Sequence, residues 1–114
     1  MIKRARLWHV TVTVAGDAME PMMVRAALAR LSQERPFISA MRFNAERAEI
    51  TYWDEADLVV DAGSLALRLW NEHRESARLP DWEVIGLEIV ERTLHLDRHA
   101  YENMADLSVV PAPF

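Results

Sequence analysis

Residues 7 to 14, "LWHVTVTV", alternate strictly, placing Trp8, Val10, Val12 and Val14 on one side and His9, Thr11 and Thr13 on the other. That period of two predicts a strand with one buried face. Gly16 and Asp17 break the alternation, and Pro21 opens "PMMVRAALARL", where Met23, Ala27, Leu28 and Leu31 recur at helical spacing, with Asp17 or Glu20 available as N-cap. Pro36 stops that helix. The stretch "PFISAMRFNAERAEITYWD" then reads as a hairpin about "NAER", in which Asn44 can form an Asx turn. A four-residue loop sets Phe43 opposite Ala48, Met41 opposite Ile50 and Ser39 opposite Tyr52. The other face then pairs Arg42 with Glu49, Ala40 with Thr51 and Ile38 with Trp53.

A second helix is predicted from an Asp54 N-cap to about Ala77, since Leu58, Ala62, Leu65, Leu69 and His73 recur at steps of three and four. After Pro80, "WEVIGLEIVE" supplies a fourth strand, with Ile85, Leu87 and Ile89 facing inward. The remainder is expected to continue as strand through Leu96. A short helix bearing Ala100, Tyr101, Met104 and Leu107 would follow, and then an extended tail at Pro111 and Pro113.

The order strand, helix, strand, strand, helix, strand, with right-handed crossovers, gives a four-stranded antiparallel sheet ordered 4-1-3-2 with both helices on one face. Over residues 7 to 92 this resembles the ferredoxin-like α+β superfold, a likeness of fold that hosts many functions. The expected organisation is one domain over residues 1–92 and a C-terminal extension or arm over residues 93–114.

Two helices cover one side of such a sheet, so the other must meet water or a partner. By the registers above, the open face carries Ile38, Ala40, Thr11, Trp53, Val84, Gly86 and Val90, interspersed with His9, Thr13, Thr51, Glu49, Glu88 and Arg42. That is apolar enough for an interface. A homodimer through this face is the expectation, with Leu94 and Leu96 as candidate arm contacts and Gly86 as a point of close approach. The competing reading folds the C-terminal segment back over its own sheet.

Composition narrows the chemistry. The 114 residues suit one domain, and 51% hydrophobic with 27% charged residues is ordinary globular usage. With no cysteine, disulfides, thiolate catalysis and Cys-ligated metal sites are excluded. A net charge of −5 argues against nucleic acid, leaving Lys3, Arg4 and Arg6 as a basic cluster at the start of the chain. The apolar runs are too short for a membrane span and "MIKRARLWHV" lacks a signal peptide's apolar core, so a soluble cytoplasmic protein is expected.

Few groups look chemical. "HLDRH" places His95, Asp97 and His99 on one side of a strand, or His95, His99 and Glu102 along a helix, but it is not HExxH. Asp97 as the N-cap of a short helix explains it without metal, so no metal or cofactor is expected. His9 lies on a central strand, with Glu88 and Trp53 as neighbours that could line a pocket. A satisfied interface histidine competes with a catalytic base, since no nucleophile is placed beside it.

"VTVAGDAMEP" could receive an anion or a carboxylate at Gly16 and Asp17, ahead of a helix N-terminus. It resembles the ligand loop of ACT-type regulatory domains, but lacks the Pro-Gly step usual there after the aspartate. Asp54, Glu55, Asp57 and Asp61 fit a helix N-terminus better than a cation site. Leu69, Trp70, Met22 and Met23 fit a core better than a cofactor box.

Two functions follow as expectations. One is a small homodimeric ligand-binding or regulatory module without catalysis, using the sheet face or the loop at Gly16. The other is a cofactor-free enzyme resembling dimeric α/β-barrel proteins, the class of several monooxygenases and isomerases, with His9, Trp53 and Glu88 in an apolar pocket enclosed between two sheets.

Overall fold

Val10, Val12 and Val14 are completely buried, which requires that the backbone groups between them be satisfied by strands on both sides. The strand they belong to is therefore internal. A computed structural model describes residues 6–92 and 110–114. Its elements are β1 (Arg6–Ala15), α1 (Pro21–Glu34), β2 (Ile38–Phe43), β3 (Arg47–Ala56), α2 (Val59–His73), β4 (Glu83–Glu91) and β5 (Ala112–Pro113). The sheet runs β4-β1-β3-β2-β5. The first four strands are antiparallel neighbours in the expected ferredoxin-like βαββαβ order, and β5 adds a parallel fifth.

The fifth strand corrects the four-stranded expectation. Arg42 pairs with Ala112 and Phe43 with Pro113, and the Phe114 N–H donates to the Phe43 carbonyl at 3.0 Å. Prolines are tolerated there because a sheet edge leaves room for a residue with no donor.

The hairpin registers Phe43 with Ala48, Arg42 with Glu49, Met41 with Ile50 and Ala40 with Thr51, as predicted. It departs at Ser39, where an irregularity pairs Ile38 with Tyr52 instead of Trp53. One extra residue flips every side chain beyond it. Ile38, expected on the open face, is instead a core residue at 2% exposure, while the Ser39 hydroxyl donates to the Thr51 carbonyl at 3.0 Å.

A second bulge has the same effect on β4. Thr13 pairs with Gly86 and Val14 with Val84, leaving Ile85 between them. Val84, expected on the open face, packs against the core, whereas Ile85, expected inside, is 60% exposed; Leu87 keeps its predicted face, paired with Val12, and is 39% exposed on this edge strand. Ile89 keeps its predicted contact with the core.

The helices also differ at their ends. β3 continues to Ala56 because β1 reaches back to Arg6 and pairs with Ala56, Glu55 and Asp54. Ladder bonds thus win over helix capping at Asp54, and Leu58 becomes the N-cap residue of α2. Leu58, expected in the buried row, is exposed, and the row facing the sheet is Ala62, Ala66, Leu69 and Trp70. α2 stops at His73 rather than Ala77, and Ala77 is buried in the turn that follows. In α1 the buried row is Val24, Ala27, Leu28 and Leu31, so Met22 and Met23, expected in the core, are exposed. Glu20 occupies the N-cap of α1 without a side-chain cap bond.

Candidate functional site

On the side of the sheet away from the helices, the registers line up three cross-strand rows. Val90, His9 and Trp53 form one, Glu88, Thr11, Thr51 and Ala40 the next, and Gly86, Thr13, Glu49 and Arg42 the third. The registers thus put His9 beside Trp53, with Glu88 one row along, and leave Ile38 and Val84 off this face. His9 is 8% exposed, and its ring meets that of Trp53 edge-on, with centroids 4.9 Å apart. At Gly86 a Cβ would come 3.3 Å from the Thr13 Cβ. The close approach expected there is made by the chain's own neighbouring strand.

The Gly16–Asp17 loop is held by the protein itself. The Gly16 N–H donates to the Glu46 carbonyl at 3.1 Å and the Met19 N–H to the Ala45 carbonyl at 2.8 Å. The Asp17 carbonyl accepts the Trp82 indole N–H at 2.9 Å. A Cβ on Gly16 would lie 2.4 Å from Trp82 Cδ1, so glycine is needed here for the packing of a tryptophan that is 1% exposed.

Asp54, Glu55 and Asp57 lie at or beyond the end of β3, and Asp61 alone sits in the first turn of α2. Burial raises the Asp54 carboxyl above the ordinary aspartate range. No group of three potential metal ligands occurs among the described residues. Leu94, Leu96, His95, Asp97, His99 and Glu102 lie outside the described residues.

A polar cluster that the sequence did not suggest ties the ends of the helices together. Glu34 Oε1 accepts from the Ser76 hydroxyl at 2.6 Å and from His73 Nδ1 at 2.7 Å. His73 Nε2 faces Arg35 Nε at 2.5 Å. The bonds from Ser76 and then His73 hold the Glu34 carboxyl below the usual glutamate range. Both imidazole nitrogens are engaged and the serine donates to a carboxylate, so this cluster locks α1 to the turn after α2 and offers no activated nucleophile.

A cavity lies elsewhere, at the end of the sheet where β5 joins. It is a cleft of about 370 Å³. The start of α1 contributes Pro21, Met22 and Arg25, the end of β2 and its turn contribute Phe43, Asn44 and Ala45, and the third wall is Pro113 and Phe114. Asn44 Oδ1 accepts the Glu46 N–H at 2.9 Å, the Asx turn expected from the sequence. Arg42 and Arg47 place their guanidinium carbons 5.4 and 4.8 Å from the Phe114 ring centroid.

Sequence reasoning did not assemble this cleft, because its walls come from segments some seventy residues apart that meet only through β5. A trace was present in the pair Met22 and Met23, whose exposure leaves α1 an apolar flank at its N-terminus.

Among the described residues no helix is long and apolar enough to cross a membrane. No curated protein matches the sequence. A family model described as "Domain of unknown function (DUF8830)" matches residues 7–106, which include the four antiparallel strands and both helices, and the chain belongs to that family.

Proposed function

We propose that this chain is a small homodimeric binding module without catalysis of its own, and that its ligand occupies the cleft between the start of α1 and β5. The observation that carries the reading is the cleft's construction. Its volume of about 370 Å³ is within the range of small-molecule sites, and it combines apolar walls with a few polar groups, as such sites do. The Gly16 loop is committed to Trp82 and to backbone partners, which favours the cleft over the loop as the ligand position.

The homodimeric part rests on exposed apolar side chains. Val60 and Leu67 on α2 and Ile85 and Leu87 on β4 are all exposed. α2 lies over β4 at Gly63, where a Cβ would come 3.5 Å from Ile89 Cδ1. Counting 1.5 Å per helical residue against about 3.3 Å per strand residue puts Leu67 level with Leu87. An apolar strip beside an edge strand is a surface that soluble proteins ordinarily cover.

A thermal-shift series of small aromatic and aliphatic compounds tests the binding reading, since a saturating ligand stabilises the folded state by mass action. Stabilisation is expected for the wild type and lost in Ala45→Trp, which fills the cleft. Hits that survive Ala45→Trp would place the ligand elsewhere. Light scattering is expected to return twice the chain mass and to fall toward the chain mass for Leu67→Lys; a wild-type monomer at tens of micromolar would refute the dimer.

A further inference from the structure

The cleft has a charge preference as well as a shape. Resting on the binding reading above, we infer that its ligand is a compact apolar acid, one carboxylate joined to an aryl or branched alkyl group.

The size follows from the space. A volume of about 370 Å³ holds roughly a dozen groups of water size, at about 30 Å³ each. The apolar part follows from Phe43, Ala45, Pro113 and Phe114, which offer ring and aliphatic surface and no donor from their side chains.

The sign of the charge follows from two observations. Arg25 is the one charged side chain in the lining, and it forms no ion pair with any described carboxylate. Arg42 and Arg47, over the Phe114 ring, add positive potential behind that wall. Three arginines thus converge on one end of a chain whose net charge is −5.

Each alternative occupant fits less well. A neutral apolar ligand would strip water from Arg25 and return no partner, and a cation would face like charge. A carboxylate can take a forked pair of bonds from the guanidinium. It can also accept from the Asn44 amide N–H groups, which stay available because that side chain is anchored through its oxygen. The single lining cation matches a monoanion.

Titration calorimetry with 3-phenylpropionate, its isosteric amide 3-phenylpropanamide, and the wild type and Arg25→Gln tests the inference. Arg25 is exposed, so the variant is expected to keep the native near-UV circular dichroism. The acid should bind the wild type at least about tenfold more tightly than the amide, the scale of one charge-assisted contact. Arg25→Gln should reduce the acid to the amide's level while leaving the amide unchanged. Equal binding of acid and amide, or an acid affinity that Arg25→Gln does not alter, overturns the acid inference and leaves the cleft as a binding site. No binding of either compound at millimolar concentration, with no hit elsewhere in the thermal-shift series, overturns both.

Discussion

Gly16→Ala should destabilise the protein through one buried contact. The added Cβ would lie 2.4 Å from Trp82 Cδ1 and 3.1 Å from Cγ, against an ordinary carbon–carbon separation of about 3.5–4.0 Å. Trp82 has little freedom to yield. It is 1% exposed, its ring lies parallel to that of Trp70 at 6.3 Å, and its indole N–H is bonded to the Asp17 carbonyl.

Overpacking of this kind costs about 1–3 kcal/mol, and displacing the indole N–H from its acceptor adds about 1–3 kcal/mol if the group stays buried. The lower backbone entropy of unfolded alanine offsets about 0.4–1 kcal/mol. The net expectation is a loss of about 2–4 kcal/mol, which at a urea slope of about 1–2 kcal/mol per molar lowers the midpoint by roughly 1–4 M. Equilibrium urea unfolding followed by tryptophan fluorescence reads it directly.

A double-mutant cycle then locates the cost. In a Trp82→Leu background the Gly16→Ala penalty should shrink by more than about 1 kcal/mol, because the clashing ring is gone. A wild-type midpoint for Gly16→Ala, or full additivity in the cycle, would refute this account of the glycine.

Three further outcomes are expected. Arg78 is the one non-glycine residue with positive φ among those described, at 53°, so Arg78→Gly should raise stability by about 1 kcal/mol in the same urea assay by relieving left-handed strain; a lower midpoint would contradict it. The Tyr52 hydroxyl is buried without a hydrogen-bond partner among the described residues, and burial pushes its ionisation upward. Tyr52→Phe should therefore change stability by less than about 1 kcal/mol, or raise it, and a loss beyond 2 kcal/mol would reveal a partner. The Glu34 carboxyl titrates below its unfolded value, so its contribution is present above the ordinary glutamate range and lost as pH falls through the lowered value. The gap in urea midpoint between wild type and Glu34→Gln should accordingly be larger at pH 7 than at pH 3, and a gap unchanged by pH would count against the bonds from Ser76 and His73.

The elements and their order were legible in the chain because period two and period 3.6 are written in which residues are apolar. The buried valines of β1 and the hairpin register from Ala40 to Phe43 could be placed from sequence, since a ladder with one buried face tolerates no slip. What tertiary structure alone decided begins at the bulges. Ile38, Val84 and Ile85 left their predicted faces because one unpaired residue in β2 and another in β4 shift parity, and no composition signal marks which residue a neighbouring strand will leave unpaired.

The helix ends follow the same logic. Asp54 is a good cap by type, but the reach of β1 back to Arg6 determined that β3 would hold it. The site was least legible of all. His9 beside Trp53 follows from register, whereas the cleft exists because β5 brings Pro113 and Phe114 to the start of α1. Contacts between such distant segments are set by the closure of the whole sheet, a property of the folded chain with no local pattern to announce it.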